Sequence, residues 1–157
     1  MIKSSFFLLL SLFLFTQFSC KKNSNGACSN KTPESEKSSI DAYAAANSIN
    51  GTYLSNGLYY QITNPGTGAK PTLSSRVTVN YVGKFTSNGN VFDQSTAPIA
   101  FPLGGLIQAW QIALPLIGKG GSIRIISPSA YCYGCGGTNG IPGNSVLHFD
   151  VELVDVN

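Results

Sequence analysis

Charge is scarce in this chain. Only 11% of its 157 residues are Asp, Glu, Lys or Arg, and ten basic side chains exceed seven acidic ones by three. So thin a surplus excludes the dense basic patch that nucleic-acid binders show. The low charge fraction also excludes a chain that is disordered throughout. Histidine occurs once, as His148, and no Ser or Cys stands at a usable spacing from it. There is no carboxylate pair either, so covalent and general acid–base hydrolysis lack their parts. No internal repeat is present, and the length suits one domain of ordinary size.

An apolar run of membrane-spanning length is also missing. The longest, FFLLLSLFLF at Phe6–Phe15, has nine apolar residues in ten. That is short of the roughly 20 that a transmembrane helix needs. Lys3 ahead of it makes a positive n-region before an h-region, the pattern of a secretory signal peptide. Gln17-Phe18-Ser19-Cys20 follows, a small residue before a cysteine, and resembles a bacterial lipoprotein cleavage site with Gln17 where Leu is usual. This resemblance implies that residues 1–19 are removed and that Cys20 is lipidated. The expected location is the bacterial cell envelope, lipid-anchored, on a periplasm-facing outer membrane. The alternative is plain secretion, with Cys20 an ordinary thiol. Five of nine Phe lie in this first block, and the other four, with the single Trp, lie in the C-terminal half. The core is therefore expected there.

Residues 20–37 are polar and read as a flexible tether, with Lys21 and Lys22 next to the lipid. Residues 38–57 form a helical extension, its short Ala-rich helix running from Ser38 to Ile49 and ended by Asn50-Gly51. From there the pattern turns to strands. LYYQIT at Leu58–Thr63 is one, before the turn cluster Asn64–Gly68. Val77, Val79 and Tyr81 alternate with polar residues in the next. Asn88-Gly89 marks a hairpin. Gly105–Leu114 suits a short helix limited by Pro115. Ile123 and Ile125 face one way from a further strand, and Tyr131–Gly143 is a Gly-rich loop. The last strand sets Leu147, Phe149, Val151 and Leu153 inward, with His148, Asp150 and Glu152 outward. Several antiparallel strands with short helices give an α+β class.

The aromatic residues carry further information in their order. Tyr81 lies in VNYVG, Phe92-Asp93 in GNVFDQS and Phe101 in FPLG. Leu106-Ile107 and Trp110 lie in LIQAW, Tyr133 in AYCYG, and Ile141 ahead of HFDVELVDV with Phe149. Each motif is weak alone, but their joint order closely resembles the FK506-binding-protein (FKBP) type of peptidyl-prolyl cis-trans isomerase. The resemblance covers nearly all of residues 58–157. It implies a curved antiparallel sheet wrapped around one short helix. It implies a pocket with Trp110 as floor and Tyr81, Phe92, Phe101, Ile107 and Phe149 as walls. Asp93 and Tyr133 would form a polar rim, the Ile107 N–H would hold a substrate carbonyl, and Leu106 and Ile141 would contact substrate. It also implies proline-containing polypeptide clients, FK506-like macrolides as inhibitors, a monomer, and neither metal nor other cofactor.

The residues support this chemistry independently. Aromatics with few polar groups suit a reaction that breaks no bond, and prolyl isomerisation is such a reaction. Its barrier is the lost conjugation of the amide, about 18–20 kcal/mol. A twisted amide is less dipolar than a planar one, so an apolar pocket disfavours it less, and an aimed donor adds selective stabilisation. The rival reading is the same fold with little turnover, a chaperone or Pro-peptide binding module.

Some features depart from the family pattern. The segment Gln94–Ala100 has no Arg to partner Asp93, which leaves a free carboxylate or a bond to Tyr81. Cys132 and Cys135 bracket Tyr133-Gly134 as CYGC and are expected to form a disulfide that pins the Tyr133 loop in an oxidising compartment. Pairing of Cys28 with either of them is the alternative. A redox role for CYGC is disfavoured because the pair lies in a Gly-rich loop and not at a helix N-terminus, and a Cys28–Cys132–Cys135–His148 zinc site because its spacing matches no familiar module.

Overall fold

The computed structural model describes residues 28–157; the expected signal peptide, Cys20, Lys21 and Lys22 lie outside the described residues. One antiparallel sheet organises the chain. Its strands are β1 (Thr52–Tyr53), β2 (Tyr59–Asn64), β3 (Arg76–Phe85), β4 (Val91–Gln94), β5 (Ile99–Pro102), β6 (Gly121–Ser127) and β7 (Leu147–Val156). The order is β1-β2-β6-β7-β3-β4, and β5 also pairs with β3. The far edge of β3 is thus shared end to end, Arg76–Val79 by β5 and Val82–Lys84 by β4. The α+β reading holds.

Alternation decides which face each strand buries. Val77, Val79, Ile123, Ile125, Leu147, Phe149, Val151 and Leu153 all point to one side and are almost fully buried. Against them packs α2 (Gln108–Ala113), with Ala109, Trp110 and Ala113 inward. A helix of six residues has no stability of its own in water, so it forms because this face packs. Pro115 stands where Leu114–Leu116 tightens into a 3₁₀ turn, a place that needs no helical N–H from it. The apolar face of these aromatics and aliphatics is therefore the inside of a curl, as the C-terminal placement of Phe and Trp suggests.

Helix α1 (Pro33–Ala46) lies on the opposite face. It starts ahead of the expected Ser38 and ends before Ile49. Thr32 caps it, its Oγ1 accepting the Ser35 N–H at 3.3 Å, and Pro33 occupies the first turn. Composition hides this start, because Thr-Pro-Glu-Ser-Glu is equally good linker. Ile40 and Ala44 cover Ile49, Tyr59 and Ile126 in a second, smaller core.

This helix also corrects the place of His148. His148 does face away from the main core, but α1 covers it and leaves it 4% exposed. The Tyr43 hydroxyl lies 3.0 Å from its Nδ1. Its Nε2 lies 3.3 Å from Asp150 Oδ1 without forming a hydrogen bond. Lys84 and Arg124 reach Asp150 at 2.9 and 3.2 Å. The His148 contact, opposed by partial burial and reinforced by the Lys84 ammonium, holds the Asp150 carboxyl well below the ordinary range. A carboxyl depressed on folding stabilises above its unfolded pKa of about 3.9 and loses that contribution as the pH falls below it. Thermal unfolding below about pH 4 is therefore expected to depend less on pH in Asp150→Asn than in the parent; identical slopes would remove this group from the acid transition.

Candidate active site

At the mouth of the curl lies a cavity of about 190 Å³. Tyr81, Phe92, Asp93, Phe101, Leu106, Ile107, Trp110, Tyr133 and Phe149 line it. Ile141 is the exception among the expected residues. It is 7% exposed, part of the core, and borders an adjoining depression with Thr138, Asn139 and Gly140 instead. A larger, open depression of about 520 Å³ crosses the outer sheet face, lined by groups such as Asn80, Arg124, Asp150 and Glu152. Its charged, shallow character suits solvent, whereas ligand sites are concave, mostly apolar and set with a few convergent polar groups.

Register explains why residues so far apart meet. On β3, Gly83 pairs with Asp93 of β4 on one side and Phe149 of β7 on the other. Having no side chain, Gly83 leaves space that the Phe92 ring fills; a Cβ there would lie 2.6 Å from Phe92 Cζ. Phe92 then meets Phe149 edge-on at 5.8 Å, Phe149 meets Trp110 at 5.7 Å, and Trp110 meets Tyr81 at 5.2 Å. Such edge-to-face contacts fix ring orientation beyond simple burial. Gly83→Ala is expected to push Phe92 toward the cavity and cost about 1–3 kcal/mol as overpacking. Urea unfolding measures the cost, and an unchanged midpoint would mean the ring moves freely.

The polar rim has one fixed pair. The Tyr81 hydroxyl donates to Asp93 Oδ2 at 2.7 Å, which resolves the open choice for Asp93 in favour of Tyr81. Burial, then this hydrogen bond, pushes the Tyr81 phenol up to about 12, so it remains a donor at physiological pH. Ser95 secures the same corner: its Oγ accepts the Tyr81 N–H at 2.9 Å, and its N–H donates to Tyr81 O at 3.0 Å. Tyr133 sits across the mouth, 36% exposed, its phenol raised by burial and by the neighbouring Cys132 and Asp93.

The floor and its entrance are set by α2. Trp110 is 4% exposed, so it is core and floor at once, and its buried Nε1–H has no partner among the described residues. Ile107 caps the helix and its carbonyl accepts from Trp110 and Gln111. Its own N–H has no acceptor among the described residues, beside a cavity that Ile107 lines. Gln111 holds this turn, donating from Nε2 to Leu106 O at 2.7 Å and to Gly104 O at 3.2 Å. Neither Ser95 nor Gln111 stands out in the sequence; a polar residue one helical turn inside LIQAWQ was the only available signal.

The cysteines correct the sequence reading. Cys28 pairs with Cys135, and Cys132 stays a thiol. CYGC is thus no redox pair. Cys132 packs partly buried against the core, and the loss of solvent there pushes its thiol up to about 12. Among the described residues no group of three or more His, Cys, Asp or Glu is placed to hold a metal.

A curled antiparallel sheet around one short helix, with an aromatic cavity at its open end, defines the class: a small α+β binding or catalytic domain for a compact apolar group. The model of the FKBP-type peptidyl-prolyl cis-trans isomerase family matches residues 67–154, and the chain belongs to that family. It is 45% identical over 105 residues to the FKBP-type peptidyl-prolyl cis-trans isomerase FkpA of Escherichia coli K12, covering 65% of this chain and 38% of that one. It is 42% identical over 107 residues to the peptidyl-prolyl cis-trans isomerase Mip of Coxiella burnetii, covering 66% and 46%. The chain thus spans less than half the length of these curated relatives. The crystal structure of Escherichia coli FkpA superposes with a TM-score of 0.71 at 38% identity, over 79% of this chain and 60% of that one. A Pseudomonas syringae peptidyl-prolyl isomerase structure gives 0.68 at 32% identity, over 82% and 98%.

Proposed function

We propose that this protein catalyses rotation about X–Pro peptide bonds in exported polypeptides. The observation that carries the reading is the cavity itself: nine convergent residues, mostly apolar, with an Ile107 N–H at its edge that has no acceptor among the described residues. The proline ring enters between Phe92, Phe101 and Phe149 and rests on Trp110. The Ile107 N–H receives the substrate carbonyl, and Asp93, held by Tyr81, and Tyr133 face the twisting amide. Water is displaced from that amide, and the less dipolar twisted form loses less by the transfer than the planar one. Each 1.36 kcal/mol so gained gives about tenfold in rate. No covalent step is required, which accords with the absence of a paired nucleophile.

The same proposal places the protein in a bacterial envelope, anchored through lipid on Cys20 and reaching clients as a monomer on a tether. The periplasmic face of the outer membrane is the proposed station. Lys3, the Phe6–Phe15 run and Ser19-Cys20 support export, and the Cys28–Cys135 disulfide suits an oxidising compartment. No helix among the described residues is long and apolar enough to cross a membrane. Labelling with radioactive palmitate should mark the parent and not Cys20→Ser; an unlabelled parent would leave secretion without an anchor.

The activity is tested by cis–trans exchange of a Leu-Pro peptide with the full chain, and with Asp93→Ala and Tyr133→Phe beside it. Acceleration that an FK506-like macrolide blocks, and that both variants weaken, is the expected result. Binding of the peptide without acceleration would turn the reading to a Pro-peptide binding module.

A further inference from the structure

Tyr133 stands in a stretch that should hold no fixed shape. Tyr131–Gly143 contains Gly134, Gly137 and Gly140 at positive φ, and glycines give a loop many conformations to lose. Yet the loop is held on both flanks of Tyr133 by residues far away in sequence.

On the first flank, Ser129 O accepts the N–H of Cys132 at 3.1 Å and of Gly134 at 2.9 Å, the two neighbours of Tyr133. Ser129 in turn is gripped by Glu36 of α1. Its N–H donates to Glu36 Oε2 at 2.8 Å, and its hydroxyl to Oε1 at 2.9 Å. Glu36 is 3% exposed and forms no ion pair among the described residues. Burying a carboxylate without a cation is costly unless its hydrogen bonds are good. A leucine would fill that helix face without the cost. What the carboxylate adds is direction, because it fixes both donors of one serine.

On the second flank, Asn30 Oδ1 accepts the Cys135 N–H at 2.7 Å, and Cys28 is bonded to Cys135. Gly134 leaves room for this, since a Cβ there would lie 2.6 Å from Asn30 Oδ1. Asn144 closes the arrangement, its N–H donating to Gly134 O at 2.7 Å and its Oδ1 accepting from Lys31 N–H at 3.3 Å. All the gripping residues from Cys28 to Glu36 precede the region matched by the family model, which begins at residue 67.

We propose that Cys28–Glu36 is a positioning device for the reaction, with Glu36 and Asn30 as positioning residues that hold Tyr133 over the cavity. This rests on the isomerase reading above. The segment never touches the substrate; it acts through the backbone on either side of Tyr133. The later part of the stretch that composition reads as a tether thereby sets the geometry of the pocket rim.

The test compares Glu36→Leu, Glu36→Gln and Asn30→Ala in the full chain, each alone and combined with Tyr133→Ala. Prolyl exchange and amide hydrogen exchange are both read. Glu36→Leu and Asn30→Ala should each lower kcat/KM about tenfold, the scale of a misplaced group that acts in the transition state. Glu36→Gln keeps an acceptor and a donor for Ser129 and should retain most of the rate. Amide exchange at Cys132 and Gly134 should quicken while that of β3 and β7 stays slow. With Tyr133→Ala present, the same substitutions should change kcat/KM by less than about twofold, because coupled residues are not additive. Equal losses in both backgrounds, or unchanged Gly134 exchange, would overturn the proposal. If Glu36→Leu does not fold, Asn30→Ala and Glu36→Gln decide alone. A parent chain that fails to accelerate exchange defeats the isomerase reading instead, and Gly134 amide exchange then decides whether the segment holds the loop.

Discussion

Trp110→Ala is expected to remove prolyl exchange activity and to cost the fold about 3–5 kcal/mol, the usual range for emptying a buried tryptophan site. Both losses have one cause. The ring is 4% exposed and packs edge-on against Tyr81 and Phe149, so the same atoms seal the core and form the cavity floor. Alanine would leave a hole beneath the proline ring and two aromatic walls without an abutment. Urea unfolding reads the stability, and Leu-Pro exchange reads the activity. Trp110→Phe should recover most of the stability while its smaller ring leaves a deeper cavity that holds proline less well. A Trp110→Ala protein that is both stable and active would show that the indole is neither floor nor keystone.

Cys28→Ser is the second large effect. The bridge to Cys135 closes a loop with a sequence separation of 107. In the chain-entropy view, a loop of about 100 residues costs the unfolded state about 4.7 kcal/mol, and losing a native disulfide typically costs about 2–5 kcal/mol. A loss within that range is expected for Cys28→Ser and equally for the parent under reductant. Cys132→Ser should behave differently: that thiol belongs to no bridge among the described residues and is only partly buried against the core, where a serine of similar size fits. Native Cys132 should alkylate more slowly than the unfolded chain, since its raised pKa keeps the thiol protonated. Equal effects of Cys28→Ser and Cys132→Ser on the unfolding midpoint would refute the assigned pairing.

Part of this molecule is legible from its residues alone. The alternation in β3, β6 and β7 follows from a period of two and one buried face, so those strands and their inward residues can be read directly. Asn88-Gly89 marks its hairpin because Gly89 must take positive φ. Other elements escape such reading for a physical reason. Two-residue β1 and four-residue β5 have too few positions to show a period; pairing with β2 and β3 makes them strands. The start of α1 depends on Thr32 as a cap, which polar linker composition conceals.

The candidate site divides in the same way. Sequence by itself determined the kind of chemistry: many aromatics, one histidine, no paired nucleophile, and motifs in an order that names the class of pocket. Those are properties of residue type and order, and they survive without coordinates. Only the tertiary structure decided which groups touch. It gave Asp93 to Tyr81, set Ile141 in a depression that adjoins the cavity at Phe92, Asp93 and Tyr133, covered His148 with α1, and paired Cys135 with Cys28 rather than Cys132. It also joined Glu36 to Ser129 across 93 positions of sequence. Contacts of that kind depend on how two faces of a sheet are covered, and no local pattern encodes the distance between residues that meet only when the chain has folded.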